Sequence, residues 1–376
     1  MRTLSGWCYR LVIKPILFLF PADRVHTLFL RCGRFLGKNR WSRVMISRLW
    51  RYEHPSLSRE CDGLLFSNPI GLSAGFDYNA DLVEILPAVG FGFHTIGTLT
   101  REAYEGNPRP MLGRLPRSKS LLVNKGFKNE SIVTVLSRLS KKTGGAIRGV
   151  SIGATNKPYD SFDDMIKEIV GGFAQADEFD SFDYFELNIS CPNLRNIQHL
   201  SPQIASPEGL SLLLQSLAML TIRRPVYIKL PLERTHDELK MLVDVAVPFS
   251  FIKGLVISNL AKDRNNPHFD KQEIARAGIG NFSGKPTQQK ANELISFARK
   301  TYRDRFTIIG VGGVFSAEDA YDKLKAGADL VQLITGMVYE GPQLIGQINK
   351  GLVRLMKRDG FSSVTLIKQR DSALTR

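Results

Sequence analysis

The sequence predicts a (β/α)8 TIM barrel with an N-terminal helical extension that associates with membranes. Three observations support this prediction: eight short apolar segments recur after residue 61, longer amphipathic segments lie between them, and residues 1–60 have a composition of their own. A chain of 376 residues can form one such barrel, which takes about 250 residues, and an appendage. We therefore expect an extension at 1–60 and a barrel at 61–376. A doubly wound sheet, which usually has fewer strands, is the alternative.

The apolar segments are bounded by glycine, proline, asparagine or serine, and each predicts a buried parallel strand. They are Asn68–Gly75, Phe93–Thr100, Arg148–Thr155, Tyr184–Cys191, Val226–Pro231, Gly254–Leu260, Thr307–Gly313 and Leu330–Thr335. The amphipathic period between them predicts helices. These helices are Asp81–Val89, Ser161–Ala176, Pro207–Leu220, His236–Val247, Gln288–Tyr302 and Ser316–Ala326.

The extension is basic and apolar at the same time. Residues 1–60 hold twelve lysines and arginines against three acidic residues, and all three tryptophans of the chain. The apolar run Leu11–Phe20 is interrupted by Lys14 and Pro15, and a membrane span needs about 20 apolar residues. Cations interleaved with bulky apolar side chains indicate amphipathic helices at a lipid surface. The alternative is a basic helical pair packed on its own domain; nucleic acid is not expected as a partner.

Cysteine and histidine spacing predicts no metal site. The four cysteines, Cys8, Cys32, Cys61 and Cys191, contain no C-x-x-C pair, which argues against a zinc ribbon and a disulfide framework. The six histidines form no HExxH motif and no i, i+4 pair. A reducing compartment and a protein without a metal are therefore expected.

The carboxyl ends of the predicted strands are polar or rich in glycine, and barrels of this type place their working residues there. Six strands end in hydrogen-bonding side chains: Ser73, Thr98, Ser151, Asn188, Lys229 and Ser258. The last two strands end at Gly312-Gly313 and Thr335-Gly336, where backbone N–H groups commonly hold a phosphate. This pattern predicts a phosphate-bearing cofactor.

Several motifs at these positions resemble those of the dihydroorotate dehydrogenases. They are Ser73–Asp77 (SAGFD), Ile96–Thr98 (IGT), Asn188–Asn193 (NISCPN), Ser283–Pro286 (SGKP) and Ile309–Gly313 (IGVGG), within a resemblance that runs from about Asn68 to Gly351. Pro21–His26 (PADRVH) resembles the extension of the membrane-bound, quinone-using class.

This resemblance implies an FMN-dependent oxidation of (S)-dihydroorotate to orotate in de novo pyrimidine synthesis, with a quinone as electron acceptor. It also implies a peripheral membrane protein, monomeric or homodimeric, on the cytoplasmic face of the inner membrane. In a eukaryote the membrane would be the mitochondrial inner membrane.

The resemblance also assigns roles to residues. Cys191 takes the position of the general base, which removes a proton from C5 of dihydroorotate while a hydride leaves C6. Cofactor contacts carry over to Ala74, Gly75, Thr98, Ser151, Asn188, Lys229, Ser258, Gly284, Gly312, Gly313, Thr335 and Gly336. Substrate contacts carry over to Tyr78, Asn124, Lys125, Gly126, Phe127, Asn188, Asn193 and Asn259. Lys229, a lone cation in an apolar strand, would lie beside the flavin ring, and Leu194–Glu208 would form a lid.

The sequence departs from the family pattern in four places. The membrane-bound class has a serine base where this chain has Cys191, and the family motif has a lysine where this chain has Tyr78. Ser151 replaces an asparagine, and the loop at Asn124 is one residue shorter. Two alternatives follow: an FMN oxidoreductase acting on another dihydropyrimidine-like compound, or a catalytically idle barrel that binds a membrane surface.

Overall fold

A closed barrel of eight parallel strands forms the centre of the molecule, as seen in a computed structural model that describes residues 2–139 and 145–369. The strands are β1 (Ile70–Leu72), β2 (Phe93–Leu99), β3 (Ile147–Ile152), β4 (Tyr184–Asn188), β5 (Val226–Leu230), β6 (Ile252–Ile257), β7 (Thr307–Val311) and β8 (Leu330–Leu333). Strands consecutive in this series are neighbours, and β8 closes on β1 with Val331 opposite Ile70. The eight predicted strands are confirmed, and the closure excludes a doubly wound sheet.

Helices alternate with the barrel strands, as the amphipathic segments predict. They are α5 (Leu86–Val89), α6 (Ile132–Leu136), α7 (Phe162–Asp177), α8 (Ser201–Ile204), α9 (Pro207–Ala218), α10 (His236–Asp244), α11 (Lys271–Arg276), α12 (Gln288–Tyr302), α13 (Ala317–Lys325), α14 (Thr335–Glu340) and α15 (Leu344–Asp359), after four helices of the extension given below. The predicted helix Asp81–Val89 begins too early. The Asp77 carboxylate accepts hydrogen bonds from the backbone amides of Asp81 and Leu82, which holds this segment out of a helix. The chain there forms turns, and α5 begins only at Leu86.

An antiparallel hairpin fills the amino end of the barrel. Its strands are Arg59–Cys61 and Leu64–Phe66, so the expected boundary after residue 60 falls inside the first of them. Phe66 packs edge-on against Phe93 of β2, with ring centroids 5.2 Å apart. Arg59 forms a buried ion pair with Asp329. Side chains of the hairpin and of the strands are therefore packed together at this end of the barrel.

A second, three-stranded antiparallel sheet stands at the carboxyl end of the barrel. Its strands are Leu112–Leu115, Ser120–Val123 and Asn281–Gly284, with Ser120–Val123 in the middle. This sheet brings segments from widely separated parts of the chain to the mouth of the barrel.

The extension forms four helices, as amphipathic segments of this kind predict without fixing their number. α1 (Arg2–Cys8) continues through a π-helical segment at Tyr9–Ile13 into α2 (Lys14–Phe18), and α3 (Ala22–Lys38) and α4 (Arg40–Trp50) follow. α3 lies close to the barrel, since a Cβ added to its Gly33 would come within 2.3 Å of the Leu82 side chain.

Hydrogen bonds join the extension to the carboxyl end of the barrel. The Asp23 carboxylate accepts from the amides of Met111 (3.1 Å) and Leu112 (3.3 Å). The Tyr9 hydroxyl donates to the Val338 carbonyl at 2.7 Å, and the Arg114 guanidinium donates to the Phe20 carbonyl at 2.7 Å. The extension is therefore docked over the barrel mouth.

The outer faces of the extension expose large apolar side chains. Trp41 and Leu19 are each 83% exposed and Phe35 is 75% exposed. Others are Leu4, Trp7, Leu11, Val12, Ile13, Ile16, Phe20, Leu28, Val44 and Met45. Among residues 2–139 and 145–369, none of the helices combines the length and the apolar character needed to cross a bilayer.

Candidate active site at the carboxyl end of the barrel

One continuous cavity of about 350 Å³ runs from the barrel mouth to the space beneath the extension. Its inner wall includes twelve of the residues predicted for the site: Ala74, Gly75, Tyr78, Thr98, Lys125, Gly126, Phe127, Asn188, Cys191, Asn193, Lys229 and Asn259. Its outer part is apolar and is lined by Leu17, Phe18, Val25, Phe29, Leu36, Ile46 and Trp50 of the extension. A polar chamber and an apolar channel therefore share one space.

The remaining predicted residues are outside this wall. Asn124 borders an adjoining groove, together with Arg109, Arg195 and Arg276. Ser151, Ser258, Gly284, Gly312, Gly313, Thr335 and Gly336 do not line the cavity.

A chain of hydrogen bonds connects the ends of β2, β3, β4 and β6. The Ser151 hydroxyl pairs with the Thr98 hydroxyl at 2.9 Å, and Asn188 Nδ2 donates to Thr98 Oγ1 at 2.9 Å. Ser190 Oγ then donates to Asn188 Oδ1 at 3.0 Å, and Asn259 Nδ2 donates to Ser190 Oγ at 2.8 Å. These bonds fix the orientation of the two amides that face the cavity.

A second polar cluster surrounds Asn193 and contains asparagines that the sequence analysis missed. Asn107 Nδ2 donates to both Asn124 Oδ1 and the Asn193 carbonyl oxygen, each at 2.9 Å. Asn281 Nδ2 donates to Asn193 Oδ1 at 2.7 Å, and Asn156 Nδ2 donates to Asn107 Oδ1 at 3.1 Å. Asn107, Asn156 and Asn281 lie outside the strand-end pattern, and no sequence signal we used identifies them.

Lys229 has an acidic partner, so its description as a lone cation is wrong. The Lys229 ammonium lies 3.4 Å from Glu186 Oε1 and donates to Ser73 Oγ at 3.2 Å, and both charged groups are buried. Glu186 is on β4, beside β5, with its side chain inside the barrel. The other Glu186 oxygen, Oε2, has no hydrogen-bond partner among the described residues.

Cys191 lies three residues beyond the end of β4, in the wall of the cavity. Burial raises the pKa of its thiol to about 11, against the opposing effects of the Asn193 amide and the charges of Lys229 and Lys262. The segment predicted as a lid follows, with a 3-10 turn at Arg195–Ile197 and then α8. Leu194, Ile197 and Leu200 are buried, so this segment is packed against the barrel.

The positions of the glycines after β7 and β8 do not accommodate a side chain. Gly312 and Gly313 have φ angles of +107° and +72°, and a Cβ on Gly336 would lie 1.9 Å from the Val314 carbonyl oxygen. Nearby, Ser283 and Thr335 share a hydroxyl hydrogen bond of 2.7 Å. Ser258 Oγ is buried without a partner in the described part of the chain. Backbone amides without side-chain cover and an orphaned hydroxyl fit a phosphate-bearing cofactor.

Tyr78, Lys125 and His26 meet where the polar chamber joins the apolar channel. The Lys125 ammonium lies 4.4 Å from the centroid of the Tyr78 ring and 3.5 Å from His26 Nδ1. His26 Nε2 is 2.9 Å from the Phe76 carbonyl oxygen, so Nε2 carries the hydrogen and Nδ1 is the acceptor. Burial and the Lys125 charge lower the pKa of His26 well below 6.5, and burial raises that of Tyr78 to about 12.

Comparison with known proteins identifies the family. The sequence model of the dihydroorotate dehydrogenase family matches residues 56–356. The chain belongs to the dihydroorotate dehydrogenase family. It is 37% identical over 369 residues to the dihydroorotate dehydrogenase (quinone) of Brucella ovis, covering 96% of this chain and 95% of the relative. The protein of the same name from Roseiflexus is 34% identical over 356 residues, covering 94% and 96%.

Solved structures agree on the fold. A crystal structure of DHODH from Eimeria tenella in complex with ferulenol has a TM-score of 0.75 and 24% sequence identity, covering 87% of this chain and 93% of that chain. The ligand-free form of the same protein gives 0.74 and 24%. Family members depend on a flavin, and the cavity described above has the fold position and the donor groups to hold one.

The alignment with relatives named for quinone use includes most of the extension. Because 96% of the chain aligns with the Brucella ovis protein, most of residues 1–60 lie within that alignment. The dihydroorotate dehydrogenase family model itself begins only at residue 56. The extension is therefore shared with relatives named for quinone use, as its PADRVH segment predicts.

Proposed function

We propose that this chain oxidises dihydroorotate to orotate in pyrimidine synthesis, with FMN as cofactor and a quinone as electron acceptor. The observation that carries the proposal is the continuity of one cavity, from amide and thiol groups at the barrel mouth to an apolar channel under the extension. A polar substrate and an apolar acceptor can thus reach the same cofactor from different sides. The quinone-class relatives support this acceptor.

The proposed FMN site uses the carboxyl ends of all eight barrel strands. Its phosphate and ribityl chain would be held by Gly284, Gly312, Gly313, Thr335 and Gly336. Its ring would be held by Ala74, Gly75, Thr98, Ser151, Asn188, Lys229 and Ser258. FMN bound there would supply a hydride acceptor for the substrate and an electron donor for the quinone. The buried ammonium of Lys229 supplies positive charge at this wall, balanced in part by Glu186.

The proposed substrate site is built from amides. Asn188, Asn193 and Asn259 line the cavity and, with Asn124 from the adjoining groove, would bind a flat heterocycle, because an amide donates and accepts hydrogen bonds in one plane. Tyr78, Lys125, Gly126 and Phe127 complete the wall. Hydrogen bonds to neighbouring side chains hold these amides in place before the substrate arrives, which lowers the entropy cost of binding.

Cys191 is the proposed general base for C5 of the substrate. The reactive form is the thiolate, and with a pKa of about 11 roughly one thiol in ten thousand is ionised at pH 7. The charges of Lys229 and Lys262 favour the thiolate. Proton removal should therefore be slow at neutral pH and faster in alkaline solution. The segment Leu194–Glu208 is the proposed lid that excludes water from this proton transfer.

The extension is the proposed membrane-binding unit. Exposed Trp7, Leu11 and Trp41 would enter the lipid interface, and the basic residues of segment 1–60 would contact anionic headgroups. We propose a peripheral protein on the cytoplasmic face of the inner membrane, mitochondrial in a eukaryote, as a monomer or homodimer. A quinone dissolved in the bilayer could then enter the apolar channel directly.

An anaerobic half-reaction tests the proposed substrate. The full-length protein, supplied with FMN, is mixed with dihydroorotate without oxygen, and the flavin absorbance near ~450 nm is followed. Dihydroorotate should remove this absorbance, and dihydrouracil, which lacks the carboxylate, should do so far more slowly. Faster reduction by dihydrouracil would support the alternative substrate class. No reduction by either compound would support the idle barrel.

A further inference from the structure

Lys125 is a buried cation without an acidic partner. Its side chain is 9% exposed, and no described carboxylate lies within 4 Å of its ammonium. The other lysines and arginines of the cavity wall are engaged: Lys229 pairs with Glu186, Lys128 donates to the Glu105 carbonyl, and Arg114 donates to the Phe20 carbonyl. A buried charge of this kind is unfavourable unless a ligand of opposite charge compensates it.

The neighbours of Lys125 orient its ammonium but do not neutralise it. His26 offers only the lone pair of Nδ1, because Nε2 donates to the Phe76 carbonyl. Tyr78 offers the face of its ring, which attracts a cation and leaves the ammonium hydrogens free. Asp23 is near enough to favour the charged amine, but its carboxylate accepts hydrogen bonds from the backbone amides of Met111 and Leu112.

Burial sets how readily this amine gives up its proton. It lowers the pKa of Lys125 to about 7, with Asp23 opposing and Lys128 adding to the effect. The amine is thus a mixture of charged and neutral forms near neutral pH. An anion placed beside it would shift the mixture toward the charged form, because the ammonium attracts the anion and the neutral amine does not.

The backbone of Lys125 belongs to the polar cluster around Asn193. Its carbonyl oxygen accepts from the Asn107 amide at 3.2 Å. The Asn107 side chain in turn bridges Asn124 and Asn193, two of the residues proposed to bind the substrate ring. A ligand held by these amides would have its edge close to the loop that carries Lys125.

We infer that Lys125 is the cation that binds the carboxylate of the substrate, and that His26 and Tyr78 are positioning residues for its ammonium. The inference rests on the proposed function, because the carboxylate is the one ionised group of dihydroorotate. It gives the extension a second role. Since His26 lies on α3, docking of the extension helps to build the substrate site.

Binding of the product tests this without turnover. Orotate and uracil, which lacks the carboxylate, are titrated into the FMN-loaded full chain by calorimetry at pH 6.5. Lys125→Met should weaken orotate binding about tenfold or more, the range of a hydrogen bond to a charged group, and leave uracil unchanged. Lys128→Met, in the same loop, is the matched control and should change neither affinity by more than about twofold.

Further variants test whether the cation itself binds orotate, by moving the lysine from position 125 to position 78 (the exchange variant) and by removing the side chain that positions it. Tyr78→Lys combined with Lys125→Met should restore much of the orotate affinity, because the ring of residue 78 lies 4.4 Å from the ammonium. Tyr78→Lys alone would bring two cations together and should not improve binding. His26→Leu should weaken orotate binding several-fold without affecting uracil, and should raise the KM for dihydroorotate more than it lowers kcat.

Three results would overturn the inference. They are unchanged orotate affinity in Lys125→Met, equal losses for orotate and uracil, and a defect confined to reoxidation by quinone. If Lys125→Met does not fold, Lys125→Gln and the exchange variant provide the same comparison. Failure of dihydroorotate to reduce the wild-type flavin would instead refute the proposed function. The orotate and uracil affinities do not depend on that reaction, so the two failures can be told apart.

Discussion

The pairing of Lys229 with Glu186 changes how the cofactor site should respond to mutation. A buried cation next to a buried carboxylate is close to neutral as a unit, and removing one partner leaves the other uncompensated. The unpaired Glu186 oxygen shows that the carboxylate is already short of donors. Single variants here should therefore affect stability as well as FMN binding.

The Lys229–Glu186 pair predicts a non-additive double variant. Lys229→Met should lower FMN content and destabilise the protein by about 3–5 kcal/mol, because Glu186 stays buried without its partner. Adding Glu186→Gln should recover most of that stability but not the FMN. Thermal unfolding and the flavin released on denaturation measure the two effects. Equal stability of the single and double variants would mean that the pair is not coupled.

Substitution of Cys191 tests the proposed base. Cys191→Ala should retain FMN and lose about 100- to 10,000-fold in the rate of flavin reduction by dihydroorotate. Cys191→Ser should keep part of the rate, since serine is the base in the membrane-bound class. Stopped-flow absorbance measures these rates, with Cys8→Ala, an exposed cysteine of the extension, as the control. A normal rate in Cys191→Ala would show that another group takes the proton.

The raised pKa of Cys191 predicts the pH profile. At saturating dihydroorotate, the rate of flavin reduction should rise with pH toward about 11, by nearly tenfold per unit well below that value, because the thiolate fraction rises in that proportion. Cys191→Ser should lose this dependence. A wild-type rate that levels off near neutral pH would contradict a thiol with this pKa acting as base.

Among the structural elements, the extension has an inner face that packs on the barrel and an outer face that is exposed. Its inner side covers Leu82, Ile85 and Leu86 and supplies His26 to the cavity, so deleting residues 1–60 would expose apolar surface as well as remove the lipid-facing side. Surface variants on the outer side are therefore a cleaner test of membrane binding than truncation.

Three outward side chains of the extension carry the membrane prediction. Trp7→Ser, Leu11→Ser and Trp41→Ser together should weaken binding to vesicles containing anionic phospholipid at least about tenfold, because interfacial binding scales with buried apolar area. The control changes three exposed apolar residues on or next to the barrel helices: Leu212→Ser, Met219→Ser and Met241→Ser. Salt at ~1 M should release the wild type only in part. Equal binding of both triple variants would contradict the proposal.

At the scale of the whole molecule, the barrel could be predicted because every strand carries its own signal. Each buried segment, such as Val226–Pro231, is apolar and is bounded by glycine, proline, asparagine or serine, and eight such segments with helices between them predict the closed barrel. The strand-end residues that line the cavity, including Thr98, Asn188 and Lys229, were predicted for the same reason.

The contacts between distant segments could not be predicted in this way. Lys229 and Glu186 are 43 residues apart, and Lys125 and His26 are 99 apart. Asn107 and Asn156 lie in two separate loops and Asn281 begins a strand of the three-stranded sheet, and folding brings the three together. Each residue alone looks like an ordinary loop or strand residue, so its partner is visible only in the folded chain.

Dihydroorotate and quinone are proposed to react at one FMN through one cavity, and a sequential-mixing experiment tests this sharing of the cofactor. The FMN-loaded protein is first reduced anaerobically with dihydroorotate and then mixed with a soluble quinone, while the flavin absorbance is followed. We expect full loss of the absorbance, followed by its full return at a rate no slower than kcat. Reduced flavin that quinone cannot reoxidise, or a flavin that dihydroorotate never reduces, would contradict it.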